Sequence, residues 1–281
     1  MTLLLWLLTT AAVALAVPAV WAQTTIVDED GYAKFAASAA RDPALQQAVA
    51  SALTTQIVGL AERRGYENLN PDRVLEVAAV YTQNEGFPGQ FAQANRIAHR
   101  WMFTDSVQPG GERDQWLVDI APMLSDPSFR ATWGNLNLGV PESLTVPITV
   151  PSSQLQPGKL RPLATWGPWL SVGSAVLAGV LALLTLAAAR ARGKGLAALG
   201  VSALLVGAAG WAGLEVARRH IDDALDSTAG DIRRIADAMV GHAEGSLHHW
   251  FNLTLAAGGG LVAVGVLVAI LGGLRRPSAA D

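Results

Sequence analysis

The sequence predicts a membrane α-helical protein with four candidate spans, joined to a mainly helical α+β extracytoplasmic domain with a short two-strand element. Three observations predict it. Only 15% of the 281 residues are charged, against roughly 25% in an ordinary soluble domain. The deficit is concentrated, because residues 1–27, 162–189, 195–214 and 245–274 contain no Asp, Glu, Lys or Arg. Each of these windows reaches the roughly 20 helical residues that cross a hydrocarbon core of about 30 Å. The stretch between the first two, in contrast, has the charge density and the apolar periodicity of a globular domain. A wholly soluble protein and a disordered chain are excluded. A disulfide framework is excluded too, since the chain has no Cys. With 20 basic against 23 acidic residues, a nucleic-acid partner is not implied.

The first window reads as a signal anchor or a signal peptide over residues 1–22. Val20-Trp21-Ala22 before Gln23 fits a small-x-small cleavage site. Two features favour an uncleaved anchor: no Lys or Arg precedes the apolar run, and the run is longer than a usual leader core.

Residues 23–167 form the extracytoplasmic domain, with 11 basic and 15 acidic side chains, and are long enough to own a core. Asp42-Pro43 is an N-cap followed by Pro at the first helical position, after which Leu45, Val49, Leu53, Ile57 and Leu60 recur at helical spacing until Gly65. Asn70-Pro71 repeats the start signal, with Val74, Leu75, Ala78 and Tyr81 as the stripe. A third helix is predicted over 88–103, with Phe91, Ala94, Ala98 and Trp101 or Met102 inward. Further on, Trp116-Leu117-Val118-Asp119-Ile120 and Leu144-Thr145-Val146-Pro147-Ile148-Thr149-Val150 are β-favouring runs, and Pro147 points to an edge strand. Pro157, Pro162 and Pro168 mark an irregular approach to the membrane.

The second and third spans are predicted at 168–189 and 196–216, around a cytoplasmic loop at 190–195. Arg190-Ala191-Arg192-Gly193-Lys194 places three cations and no acid in that loop, and Arg275-Arg276 opens the tail at 275–281. Both belong inside by the bias of short loops. Arg218-Arg219 votes the other way but stands among Glu215, Asp222 and Asp223. Segment 217–250 is then extracytoplasmic and reads as an amphipathic helical segment, with Ile221, Leu225, Thr228, Ile232, Ile235 and Met239 on a stripe. Its acidic polar face favours packing on the larger domain over lying on lipid headgroups. The fourth span covers 251–274. Trp169, Trp211 and Trp250 fall near span ends, as interfacial indoles do.

Candidate chemistry is sparse. The chain has no Cys and no G-x-S-x-G, and no Gly-rich loop lies between a strand and a helix. His220, His242, His248 and His249 stand among acids, yet their spacing matches no metal motif, so neither a metal nor a cofactor is implied. The helix predicted at 88–103 supplies the candidate binding residues Asn95, His99 and Trp101. Asn95 and His99 are four apart and share a face as a polar insertion in an apolar stripe, read as a buried hydrogen-bonding pair before a ligand site. Gly258-Gly259-Gly260 falls in a span and reads as close helix packing. Gly265, Ala269 and Gly273, and likewise Ser171, Ala175 and Gly179, make small-residue faces suited to helix association. Glu215 reads as an interfacial residue pairing with Arg218 or Arg219.

An acidic patch leading to Tyr32, Asp42-Pro43-Ala44-Leu45-Gln46, the stretch 91–99, Leu117-Val118-Asp119-Ile120 and Ile235-Ala236-Asp237-Ala238-Met239-Val240 before a Gly-rich last span together carry a likeness. In these the chain resembles a group of actinobacterial multi-pass integral membrane proteins of unknown function. The resemblance implies a plasma-membrane protein with an exported helical domain, and carries over no catalytic residue.

The functional expectation is a non-enzymatic envelope protein whose exported domain binds or senses a partner. The alternatives are a membrane-anchored extracytoplasmic hydrolase and a small-solute transporter component. No charge lies inside the four windows, which argues against an ion route. Expected partners are the lipid bilayer and another envelope protein, or a second copy through the small-residue faces.

Overall fold

The computed structural model describes residues 2–63, 65, 69–104, 115–119, 145–149, 158–225 and 230–274. In chain order these form α1 (Thr2–Ala22), a π turn (Gln23–Val27), α2 (Glu29–Ala39), α3 (Pro43–Arg63), α4 (Pro71–Thr82) and α5 (Phe87–Phe103). There follow β1 (Gln115–Asp119), β2 (Thr145–Thr149), α6 (Arg161–Ala188), α7 (Arg192–Leu225) and α8 (Gly230–Leu274). The chain divides into two compact units. One comprises Met1–Thr24, Thr165–Asp222 and Ala243–Asp281, and the other Thr25–Ala164 and Asp223–His242.

The first unit holds four helices long and apolar enough to cross a membrane, within Leu3–Val27, Arg161–Ala188, Arg192–Asp223 and Gly230–Leu271. Helices that are apolar all round are held together in lipid by close packing and hydrogen bonds, not by a difference in polarity. Both are present. On α7 and α8 the contacts are glycines seven residues apart. A Cβ on Gly193 would lie 2.6 Å from the Gly265 carbonyl, one on Gly200 2.6 Å from the Gly258 carbonyl, and one on Gly207 2.5 Å from Leu255. The backbones meet with no room for a side chain, and the descending order on α8 makes the pair antiparallel. Helix α1 packs Ala12 and Ala16 against Ala178 of α6, with Val13 and Leu181 beside them. One hydrogen bond adds to this contact, and two more tie α1 to α7. Thr9 and Thr185 hydroxyls lie 3.1 Å apart, the Thr10 hydroxyl donates to Ser202 at 2.8 Å, and the Trp6 indole donates to the Ala198 carbonyl at 2.8 Å.

The small-residue expectations divide. Gly258 and Gly265 are packing positions, whereas Gly259 and Gly260 have open space where a Cβ would go. On α6 the buried face is Ser171, Ser174, Ala178 and Thr185. Ala175 and Gly179 are exposed, so the predicted Ser171, Ala175 and Gly179 face is not the one α6 uses here. Gly273 is described in the backbone only.

In the second unit, α3 and α4 begin where the sequence signals them. The Asp42 carboxylate accepts from the Ala44 N–H at 2.8 Å, and Asn70 accepts from Asp72 at 2.9 Å. Both satisfy amides that a helix start leaves without a partner. Gly65 ends the α3 region with φ 82°, a conformation that favours glycine. The core gathers Ala39, Ala40, Leu45, Val49, Ala50, Ile57, Val74, Ala78, Tyr81 and Phe87, and Ile235, Ala238 and Met239 pack against it.

Two expectations change. The α+β description of the domain gives way to a helical one, since every buried residue of its described core lies on a helix or beside one. β1 runs antiparallel to β2, with Leu117 opposite Pro147, and ten residues of ribbon do not make the domain α+β. Ile120, Leu144, Val150 and Pro157 lie outside the described residues. The helical segment expected over 217–250 is shared between two helices, α7 running to Leu225 and α8 beginning at Gly230 with φ 68°.

Candidate functional site

The predicted site residues lie on α5, whose partner α2 was not expected as a helix. Helix α2 starts because Asp28 caps it, its carboxylate accepting from Gly31 N–H at 2.7 Å, and Glu29 and Asp30 occupy the first turn, where the helix dipole favours acids. It buries Ala33, Phe35, Ala36 and Ala39.

Across this contact Asn95 and His99 meet Tyr32. The Tyr32 hydroxyl donates to Asn95 Oδ1 at 3.3 Å, and Asn95 Nδ2 donates to the Phe91 carbonyl at 2.9 Å. His99 is 5% exposed. Its Nε2 lies 3.0 Å from the Ile26 carbonyl, and a carbonyl only accepts, so Nε2 carries a proton. The ring stacks on Phe103 with centroids 4.2 Å apart and tilts against Tyr32 at 5.2 Å. Burial pushes the Tyr32 phenol above its ordinary value. Trp101 follows His99 by two residues, about 200° around the helix, and so does not join the pair. It is buried, and its carbonyl accepts from Gly158 N–H at 3.2 Å.

Beside this polar seam runs an ion-pair network. Arg100 grips Glu29 with Nε at 3.0 and 3.1 Å and Nη2 at 2.7 Å. Arg96 reaches Glu29 at 3.3 Å and Asp30 at 2.7 Å. The Arg100 hydrogen bond, with the charges of both arginines and the Arg96 contact, holds the Glu29 carboxyl below its ordinary range although partial burial opposes it. Arg96 and Arg100 are four apart opposite three consecutive acids, a signal the sequence did contain.

The other histidines are dispersed. His220 Nδ1 lies 3.0 Å from the Val216 carbonyl of its own helix, His242 lies 5.3 Å from the Phe35 ring, and His248 stacks on Trp211 at 3.8 Å. Among the described residues no group of three His, Asp or Glu is placed to hold a metal ion. Arg218, one of the two expected partners of Glu215, bonds to Glu244 at 3.1 Å and approaches Asp222 at 4.0 Å.

Chemically, the α2 and α5 seam joins two helices. Its polar atoms are spent on one another and on backbone carbonyls. Comparison of the chain with family models, with curated proteins and with solved structures finds no match.

Proposed function

We infer that the chain is a multi-pass plasma-membrane protein of the cell envelope, with its helical domain on the extracytoplasmic side, where it binds or senses a partner without catalysing a reaction. The observation that carries this is the ordering of residues along the four long helices. Trp21 of α1, Trp166 and Trp169 of α6, Trp211 of α7 and Trp250 of α8 mark one end. Arg190, Arg192 and Lys194 mark the other. Between the two levels each helix offers roughly 17 to 24 residues, or about 26 to 36 Å, which is the thickness of a hydrocarbon core.

The indole end suits a headgroup layer. There the Trp211 indole donates to Asn252 at 3.1 Å and the Trp21 indole donates to Ser246 at 3.1 Å. The cationic end is a tight turn of three residues between α6 and α7, the kind of short loop whose Lys and Arg set orientation. Lys159, Arg161, Arg218 and Arg219 flank the opposite end, but there Glu215, Asp222 and Glu244 accompany them, and long translocated segments count little. Tyr32, Asn95 and His99 are taken up in holding α2 on α5, so on this reading the partner meets the outer surface of the domain and not this seam.

The test uses the absence of native cysteine. A single cysteine at Ser38, an exposed position on α2, should react with a membrane-impermeant maleimide on intact cells. Labelling only after lysis would invert the assignment and end it. Crosslinking of the full chain in its native membrane should then recover an envelope protein, and recovery of none would leave the partner role without support.

A further inference from the structure

We propose that α1 is a permanent member of the membrane bundle and that the bond between Ala22 and Gln23 is not a processing site. A leader peptide has to leave, so its side chains should make no lasting contacts with the rest of the chain. Those of α1 do the opposite. Thr9 is 1% exposed with its hydroxyl 3.1 Å from that of Thr185 on α6. One residue on, Thr10 donates to Ser202 on α7 at 2.8 Å, and Ser202 is 1% exposed. A turn earlier, Trp6 spans to the Ala198 carbonyl of α7 at 2.8 Å. Thus α1 is bonded to two different helices, at one level of the membrane, by side chains that a leader core of Leu and Ala would not need.

The hydroxyls also form a matched set. Each of Thr9, Thr10, Thr185 and Ser202 can return its proton to a carbonyl of its own helix, so none requires a partner to be tolerated in lipid. Their meeting across helices is therefore a property of the packing. The alanine contact of Ala12 and Ala16 with Ala178 brings the backbones close enough for it.

The cleavage region points the same way. The small residues that precede a leader's cut are the ones its protease has to reach. Here the backbone is helical through Ala22 and continues as a π turn over Gln23–Val27. The Thr24 hydroxyl donates to the Val20 carbonyl at 2.8 Å, and Trp21, the middle residue of the small-x-small set, is tied to Ser246 of α8 at 3.1 Å.

The inference needs the four-helix membrane assembly but not its orientation, and one experiment separates them. The full chain with a carboxyl-terminal tag is expressed in a bacterial membrane, purified in detergent, and its amino-terminal peptides are identified by mass. Residues 3–22 should remain covalently attached in essentially all of the protein; a chain beginning at Gln23 would overturn the proposal. In the same membranes a T9C and T185C pair, free of competing native thiols, should oxidise to an internal disulfide and lose maleimide reactivity until reduced. Free thiols in that pair after oxidation would also overturn it, because α1 would then not sit against α6. Mapping the unaltered chain needs no variant, so a poorly folding pair leaves the first measurement decisive. Maleimide access at a cysteine replacing Ser38 reports orientation alone, and an inverted result there leaves both outcomes standing.

Discussion

At the scale of single residues, the α2 and α5 contact joins a buried hydrogen-bonded ring with a partly exposed ion pair, and the two should respond differently. Replacing His99 with Ala removes the Nε2–H donor to the Ile26 carbonyl and the ring stacked on Phe103. Leaving a fully buried acceptor without a donor costs about 1–3 kcal/mol; the Ile26 carbonyl is only partly buried, which sets the low end of that range, and the lost ring volume adds to it. His99→Ala should therefore lower the unfolding midpoint of the detergent-solubilised chain clearly, as measured by denaturant titration. Glu29→Gln should cost less, about 0.5 kcal/mol, because Arg100 is largely solvated and exposed pairs are weak. Its signature is in pH. The folded carboxyl lies below its ordinary value of 4.5, chiefly through the Arg100 hydrogen bond. Its contribution is thus fully present above 4.5 and is lost as pH falls through the lowered folded value. Melting curves taken across that window should show a fall for the native chain that is shallower for Glu29→Gln; equal slopes would mean that Glu29 does not contribute.

At the scale of elements, packing of α7 on α8 makes a prediction that distinguishes glycines by position. Gly200 and Gly259 are both helical glycines in apolar sequence. A Cβ on Gly200 would meet the Gly258 carbonyl and Val262, while one on Gly259 meets nothing within 4 Å. Gly200→Leu should separate the helices and cost about 1–3 kcal/mol or more, read as a drop in melting temperature in detergent. Gly259→Leu should be nearly neutral, and equal losses would refute the assigned faces. Such assignments are only partly legible in sequence. Chargeless windows reveal the four long apolar helices because such a pattern persists along a whole stretch. Asp42-Pro43 and Asn70-Pro71 reveal helix starts because capping is local. Which glycine of Gly258-Gly259-Gly260 touches a neighbour depends on Gly200, far away in the chain, and no local pattern carries that. Helix α2 was missed for a related reason. It has eleven residues, an internal Gly31 and a buried face made mostly of Ala, so its periodicity is weak, and the arginines that fix it lie 67 and 71 residues away. For the candidate site, the shared face of Asn95 and His99 was legible from their spacing. Their partners Tyr32 and Ile26 were not, and the opposite placement of Trp101 followed only once the helix was seen whole.

At the scale of the whole molecule, orientation reduces to which end of the bundle holds uncompensated positive charge. The turn between α6 and α7 contributes Arg190, and the first turn of α7 adds Arg192 and Lys194, with no acid among them. At the other end Arg218 is already engaged by Glu244 and Asp222, so in the proposed orientation its cost of translocation is offset by neighbours that would cross with it. Neutralising Arg190, Arg192 and Lys194 together to Ala should then produce a mixed population, in which part of the chains leaves a cysteine at Ser38 closed to impermeant maleimide on intact cells. Neutralising Arg218 and Arg219 should leave that cysteine fully reactive. The expected asymmetry comes from the loop's length as much as from its charge, because short loops are read during insertion and a translocated domain largely is not. Should the second pair of substitutions, and not the first three, close the Ser38 site, the cationic turn would not be the cytoplasmic determinant, and the direction assigned to every helix in the bundle would have to be reversed.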